Sequence, residues 1–141
     1  MIIKIDNTNK EMLEKISFLE KEIFPESYYS ITTLQEMCLK KEYSIIVYDE
    51  DVKGYLILHD SYDVYEIMKI AVTTNFRNRK IGQELINFYL EEFNKNLLLE
   101  VRETNEIARR FYEKLGFVNI GKRKNYYSNG ETAILMSLER N

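Results

Sequence analysis

Three cations and a glycine crowd one short stretch of this chain, Arg77-Asn78-Arg79-Lys80-Ile81-Gly82-Gln83, placed between a long β-rich run and the first turn of an apolar-striped helix. The chemistry available there is anion binding. A helix start presents backbone N–H groups without intrahelical partners, its dipole adds positive potential, and the cations add a diffuse attraction suited to a pyrophosphate. The charges alone fit a solvated basic turn equally well. Downstream, Glu100 sits in the apolar run LLLEVR and Tyr112 in IARRFYEKLGF. Taken singly, Glu100 reads as an ion-pair partner of Arg102 or Lys69, and Tyr112 as a packed aromatic on a helix face. His59 and Cys38 are single residues of their types. They leave no Cys/His cluster for a metal and no internal disulfide, so no metal site is expected.

The elements that must position these residues alternate in type. MIIKID reads as a strand, and Asn7 or Thr8 offers an N-cap for a helix burying Met12, Leu13, Ile16, Leu19 and Ile23. Phe24-Pro25-Glu26-Ser27 breaks that helix, and Ser30 caps a second one running through Leu34, Met37 and Cys38. A hairpin follows, with strands Tyr43–Tyr48 and Val52–His59 joined by the acidic turn Asp49-Glu50-Asp51. The run Val64–Val72 is a further strand. Ile81, Leu85, Ile86, Tyr89 and Phe93 form a helical stripe, LLLEVR a buried strand, and Ile107, Ala108, Phe111, Tyr112 and Leu115 a second stripe that closes at Gly116. Two last strands, Val118–Tyr126 and Thr132–Leu138, meet at the turn Ser128-Asn129-Gly130. The order βααβββαβαββ predicts an α/β (mixed α+β) fold, with a central mixed sheet of about seven strands flanked by about four helices. No linker or repeat interrupts the 141 residues, so 1–141 is expected to form a single domain.

Residues 77–82 resemble the acetyl-CoA binding loop of the GNAT N-acetyltransferases, written Gln/Arg-x-x-Gly-x-Gly/Ala, with Arg77 first and Gly82 last. Lys80 stands where the middle glycine falls, and a positive φ there would cost its side chain about 1 kcal/mol. LEVRETNEIARRFYEKLGF, RKNYYSNGETAILM and FPESYYS extend the likeness over nearly the whole chain, and are similar to the RimI-type members of that superfamily.

The resemblance implies the GNAT acyl-CoA N-acyltransferase fold and acetyl-CoA as co-substrate. It implies that Ile70, Ala71 and Val72 hold the pantetheine arm through their backbone, with an N–H near Val72 serving the oxyanion. Arg77, Asn78, Arg79, Lys80, Ile81, Gly82 and Gln83 would cradle the phosphates. Asn105 would touch the pantetheine while capping its own helix. Glu100 becomes the general base, directly or through water, and Tyr112 the general acid. Phe24, Tyr28, Tyr126 and Tyr127 would line the acceptor cleft, where Tyr126 and Tyr127 also read as cross-strand aromatics. The acceptor implied is a protein's N-terminal α-amine, that of the N-terminal alanine of a small-subunit ribosomal protein. The same fold would serve a small amine such as a polyamine or antibiotic. A loop degraded at Lys80 would leave a non-catalytic acyl-CoA binding module, against which the retained Glu100, Tyr112 and Gly82 argue.

A net charge of -3 lacks the basic footprint of a nucleic-acid binder, and mild acidity suits a cationic acceptor. The start MIIKIDNTNK has no signal-peptide pattern and no apolar run approaches spanning length, so a cytoplasmic protein without membrane contact is expected, as a monomer or weak dimer.

Overall fold

The computed structural model describes residues 1–76 and 80–139. Arg77, Asn78 and Arg79 of the basic loop lie outside the described residues. The elements are β1 (Ile2–Ile5), α1 (Lys10–Ile23), α2 (Ile31–Cys38), β2 (Tyr43–Tyr48), β3 (Gly54–Asp60), β4 (Val64–Val72), a 3-10 turn (Thr74–Phe76), α3 (Ile81–Glu92), β5 (Asn96–Arg102), α4 (Glu106–Lys114), β6 (Val118–Arg123) and β7 (Ala133–Leu138). The expected order of strands and helices is observed. The seven strands form a sheet ordered β1-β2-β3-β4-β5-β7-β6, mixed because β4 and β5 run parallel while the hairpins run antiparallel. No helix among the described residues is long and apolar enough to cross a membrane.

The chain divides into two compact units, Met1–His59 with Met68–Phe93, and Asp60–Ile67 with Asn94–Asn141. In the first, β2 and β3 are buried on both faces, which is why SIIV and YLIL read as continuous apolar runs rather than alternating ones. Ile45, Val47, Tyr55 and Ile57 join Leu13 and Ile16 of α1 and Leu34 and Met37 of α2 in one core. The opposite side chains, Ile46, Leu56 and Leu58, are equally buried, and so are Leu85, Ile86 and Tyr89 of α3. In the second unit β5 alternates strictly: Leu97, Leu99 and Val101 are buried, while Leu98, Glu100 and Arg102 fall on the other face. Across the ladder Leu99 faces Met136 and Glu100 faces Leu135.

Several local expectations shift. Neither Asn7 nor Thr8 caps α1, because Asp6 takes both the N–H and the hydroxyl of Thr8 and donates its own N–H to Asn9, which becomes the N-cap without a side-chain cap bond. Ser30 does cap α2, accepting from Thr33 N–H at 3.1 Å. The β2–β3 turn is longer than its acidic tripeptide: Asp49 and Val52 both take positive φ, delaying β3 to Gly54, and burial of Val52 holds that unusual valine conformation. On α4 Tyr112 is buried and Ala108, Phe111 and Leu115 are half-buried, so the stripe is covered except at Ile107, which is 84% exposed. The helix still closes as expected, with Gly116 at φ 102 and the Phe117 N–H reaching back to the Tyr112 carbonyl at 3.0 Å. Finally, β6 ends at Arg123, so Tyr126 and Tyr127 stand in the connection and not on a strand.

Candidate active site

In the first unit the end of β4 and the start of α3 are brought close to β3 by Gly54. A Cβ there would stand 3.0 Å from the Ala71 carbonyl oxygen and 3.0 Å from Ile81 Cγ2, so a side chain would force this backbone or Ile81 to give way by a few tenths of an ångström. Ala71 is buried and Ile70 and Val72 are half-buried, so the backbone that the sequence singled out lies at the margin of the core. Lys80 is the N-cap of α3 with φ 62 and ψ 17, the left-handed conformation that a glycine would supply at this loop position. Its side chain makes no cap hydrogen bond, and Ile81 and Gly82 behind it are buried. The first-turn N–H groups therefore have no intrahelical acceptor and no cap from the Lys80 side chain. That donor set fits a pyrophosphate.

Phe24 closes α1, its N–H bonded to the Glu20 carbonyl at 2.8 Å, and Tyr28 beyond it is 43% exposed with the Lys21 ammonium 5.5 Å from its ring. Beneath this loop lies a charge the sequence reading overlooked. Glu20 is 0% exposed, yet its carboxylate accepts from Tyr29 N–H at 3.0 Å, Tyr55 hydroxyl at 2.5 Å and Lys69 Nζ at 2.8 Å. Burial, then the Glu20 charge, push the Tyr29 hydroxyl up to about 12. A signal did exist: Glu20 follows Leu13 and Ile16 by seven and four residues, on the buried stripe of α1.

In the second unit β5 carries Glu100. One carboxylate oxygen, Oε1, lies 3.6 Å from Arg123 Nη1, while Oε2 is buried with no hydrogen-bond partner among the described residues. Neither cation proposed from sequence pairs with it, because Arg102 is drawn to Glu131 and Lys69 to Glu20. Tyr126 joins this group: the Glu100 charge and a hydrogen bond to Glu100 raise the Tyr126 hydroxyl above its ordinary value, with Arg123 opposing and Glu66 adding. The Arg123 guanidinium stands 5.4 Å from the Tyr126 ring. Tyr127 instead receives the Arg102 guanidinium 4.0 Å over its ring, so the two adjacent tyrosines serve different cations. Tyr112 is 9% exposed and meets Phe111 and Phe117 edge-on at 5.5 Å each, and burial raises its hydroxyl well above the usual range. Asn105 caps α4, accepting from Ala108 N–H at 3.1 Å.

The acetyltransferase (GNAT) family profile matches residues 9–117, and the chain belongs to that family. It is an acetyl-CoA dependent N-acetyltransferase. An uncharacterised N-acetyltransferase of Methanocaldococcus jannaschii is 31% identical, over 88% of this chain and 83% of that one. A putative ribosomal protein bS18-alanine N-acetyltransferase of Bacillus subtilis is 34% identical over 67% of this chain, the match spanning 66% of its length. The crystal structure of the ribosomal-protein-S18-alanine N-acetyltransferase of Escherichia coli superposes with a TM-score of 0.82 at 25% identity, covering 100% of this chain and 94% of that one. An aminoglycoside 6'-N-acetyltransferase complexed with coenzyme A shares the fold, with a TM-score of 0.84 at 20% identity, over 99% of this chain and 96% of that one.

Proposed function

We propose that this enzyme acetylates the N-terminal α-amine of a protein, with an N-terminal alanine of a ribosomal protein as acceptor, and that 1–141 works as one catalytic domain. The observation that carries the reading is Glu100 Oε2, a buried carboxylate oxygen with no hydrogen-bond partner among the described residues. Such an atom is costly unless a donor arrives, and an incoming ammonium or its relay water is a suitable one. The likeness to bS18-alanine acetyltransferases supports the acceptor.

Acetyl-CoA supplies the activated acetyl thioester. Glu100 takes the proton that the amine must lose. An α-amine titrates near ~7.7 to 8 and a lysine near ~10.4, so a carboxylate suffices as base only for the former at neutral pH. Tyr112, protonated throughout the neutral range, supplies the proton that the leaving sulfur requires. The Ile70–Val72 backbone and the uncapped start of α3 at Lys80, Ile81, Gly82 and Gln83 orient the donor, and Arg77, Asn78 and Arg79 complete the phosphate loop. Asn105 adds a pantetheine contact, while Phe24, Tyr28, Tyr126 and Tyr127 shape the acceptor cleft.

The test is coenzyme A release from acetyl-CoA with short peptides beginning Ala, Ser or Met, the same peptides Nα-blocked but containing lysine, and a polyamine. Release with free N-termini alone is the expected result. Preference for the polyamine would replace this reading with small-amine transfer, and silence with every acceptor would leave a binding module.

A further inference from the structure

Lys69 lies on β4 directly before the Ile70–Val72 backbone, yet its side chain serves a different segment. Its ammonium meets Glu20 at 2.8 Å and the Ser27 carbonyl at 2.9 Å, and stands 4.0 Å from the Phe24 ring centre and 4.7 Å from that of Tyr29. One cation thus touches the loop after α1 at three residues, and Glu20, which holds that cation, also binds the loop's Tyr29 N–H. Phe24 and Tyr29 pack half-buried against the core, but Glu26, Ser27 and Tyr28 between them are exposed, so apolar burial contributes little to the shape of the middle of this segment. Between its two packed aromatics the segment is held by a buried ion pair, and such a pair selects one arrangement at close range more than it stabilises a fold.

We propose that Lys69 is a positioning residue for the acceptor: clamped by Glu20, it fixes the Phe24–Tyr29 loop as the wall against which the acceptor's first residues lie. This rests on the reading of Phe24 and Tyr28 as acceptor contacts. It ties that wall to the strand whose next three residues orient the acetyl donor, so acceptor position is registered to β4 through one side chain. The ammonium is also a desolvated cation on two aromatic faces, which an apolar replacement of similar length cannot reproduce.

The experiment compares Lys69→Met, Lys69→Arg and the double variant Glu20→Gln/Lys69→Met with the wild-type chain. The double variant leaves no unpaired buried charge and guards against simple unfolding. Two readouts are taken: KM for an Ala-initiated peptide against KM for acetyl-CoA, and amide exchange of residues 26–30. The expected result for Lys69→Met and the double variant is a roughly tenfold rise in peptide KM with acetyl-CoA KM within twofold, about tenfold faster loop exchange, and partial recovery of both in Lys69→Arg. Unchanged peptide KM and unchanged exchange in a folded double variant would overturn the proposal, as would equal rises in both KM values. If the wild-type chain turns over no peptide, the acceptor reading fails by itself, and loop exchange alone then decides whether Lys69 sets the wall.

Discussion

Two carboxylates on buried ground, one in each unit, are treated in opposite ways. Glu20 is wholly buried and every approach to it is taken by a donor: a backbone N–H, a tyrosine hydroxyl and an ammonium. Glu100 has an exposed arginine 3.6 Å from one oxygen and the Tyr126 hydroxyl nearby, while its Oε2 has no hydrogen-bond partner among the described residues. Saturating a buried charge makes it part of the architecture, whereas leaving a buried lone pair open reserves it for something that binds later. The apolar stripe of α1 put one acid inside, and the alternation of β5 put the other on the face away from Leu97, Leu99 and Val101. Similar residues acquire different work from their partners alone.

The contrast can be broken most directly by paired substitutions. Glu100→Gln should cost about 10²- to 10⁴-fold in kcat/KM, the usual range for losing a general base, with little loss of stability because the amide oxygen can still accept from Tyr126 and Arg123 is exposed to solvent. Glu20→Ala should do the reverse to stability, losing about 3 to 5 kcal/mol in denaturant unfolding, because Lys69 would stay buried without its counter-charge. If Glu20→Ala unfolds no more easily than wild type, its saturation is not structural.

A smaller effect belongs to Lys80, whose left-handed backbone at φ 62 glycine would adopt without strain. Lys80→Gly should relieve at most about 1 kcal/mol, partly offset by the greater chain entropy of glycine when unfolded. Thermal unfolding with and without acetyl-CoA separates that relief from any change in donor binding.

The least effect is at alkaline pH. The Tyr29 hydroxyl moves from 10.0 to about 12 on folding, so the folded chain keeps a proton that the unfolded chain releases. The stability this contributes is full below about pH 10 and is lost between about pH 10 and about pH 12. Tyr29→Phe should flatten that limb in urea titrations across this window, and an unchanged limb would show that burial and the Glu20 charge do not raise the Tyr29 hydroxyl.

Much of the fold was legible because its signals were local. Period-3.6 stripes placed α1 and α3, Ser30 announced the cap of α2, and Gly116 the close of α4. What escaped needed partners distant in sequence. Arg123 meets Glu100 across 23 positions and Lys69 meets Glu20 across 49, and no spacing rule reports such pairs. Of the α4 stripe only Ile107 proved exposed, because amphipathic spacing shows which residues share a face, not whether something covers each of them. At the candidate site the left-handed requirement at Lys80 was visible through family likeness, while the burial of Glu100 Oε2 away from donors among the described residues is a property of tertiary packing.

The central claim is that Glu100 is the base for an N-terminal amine, and steady-state coenzyme A release with an Ala-initiated peptide tests it in wild type and Glu100→Gln across pH 6 to 10. The account predicts a wild-type rate rising through the α-amine region near ~8 and no fall from Tyr112 ionisation below about pH 10, with Glu100→Gln at least about 100-fold slower at neutral pH. A folded Glu100→Gln that keeps wild-type kcat/KM at neutral pH would contradict it.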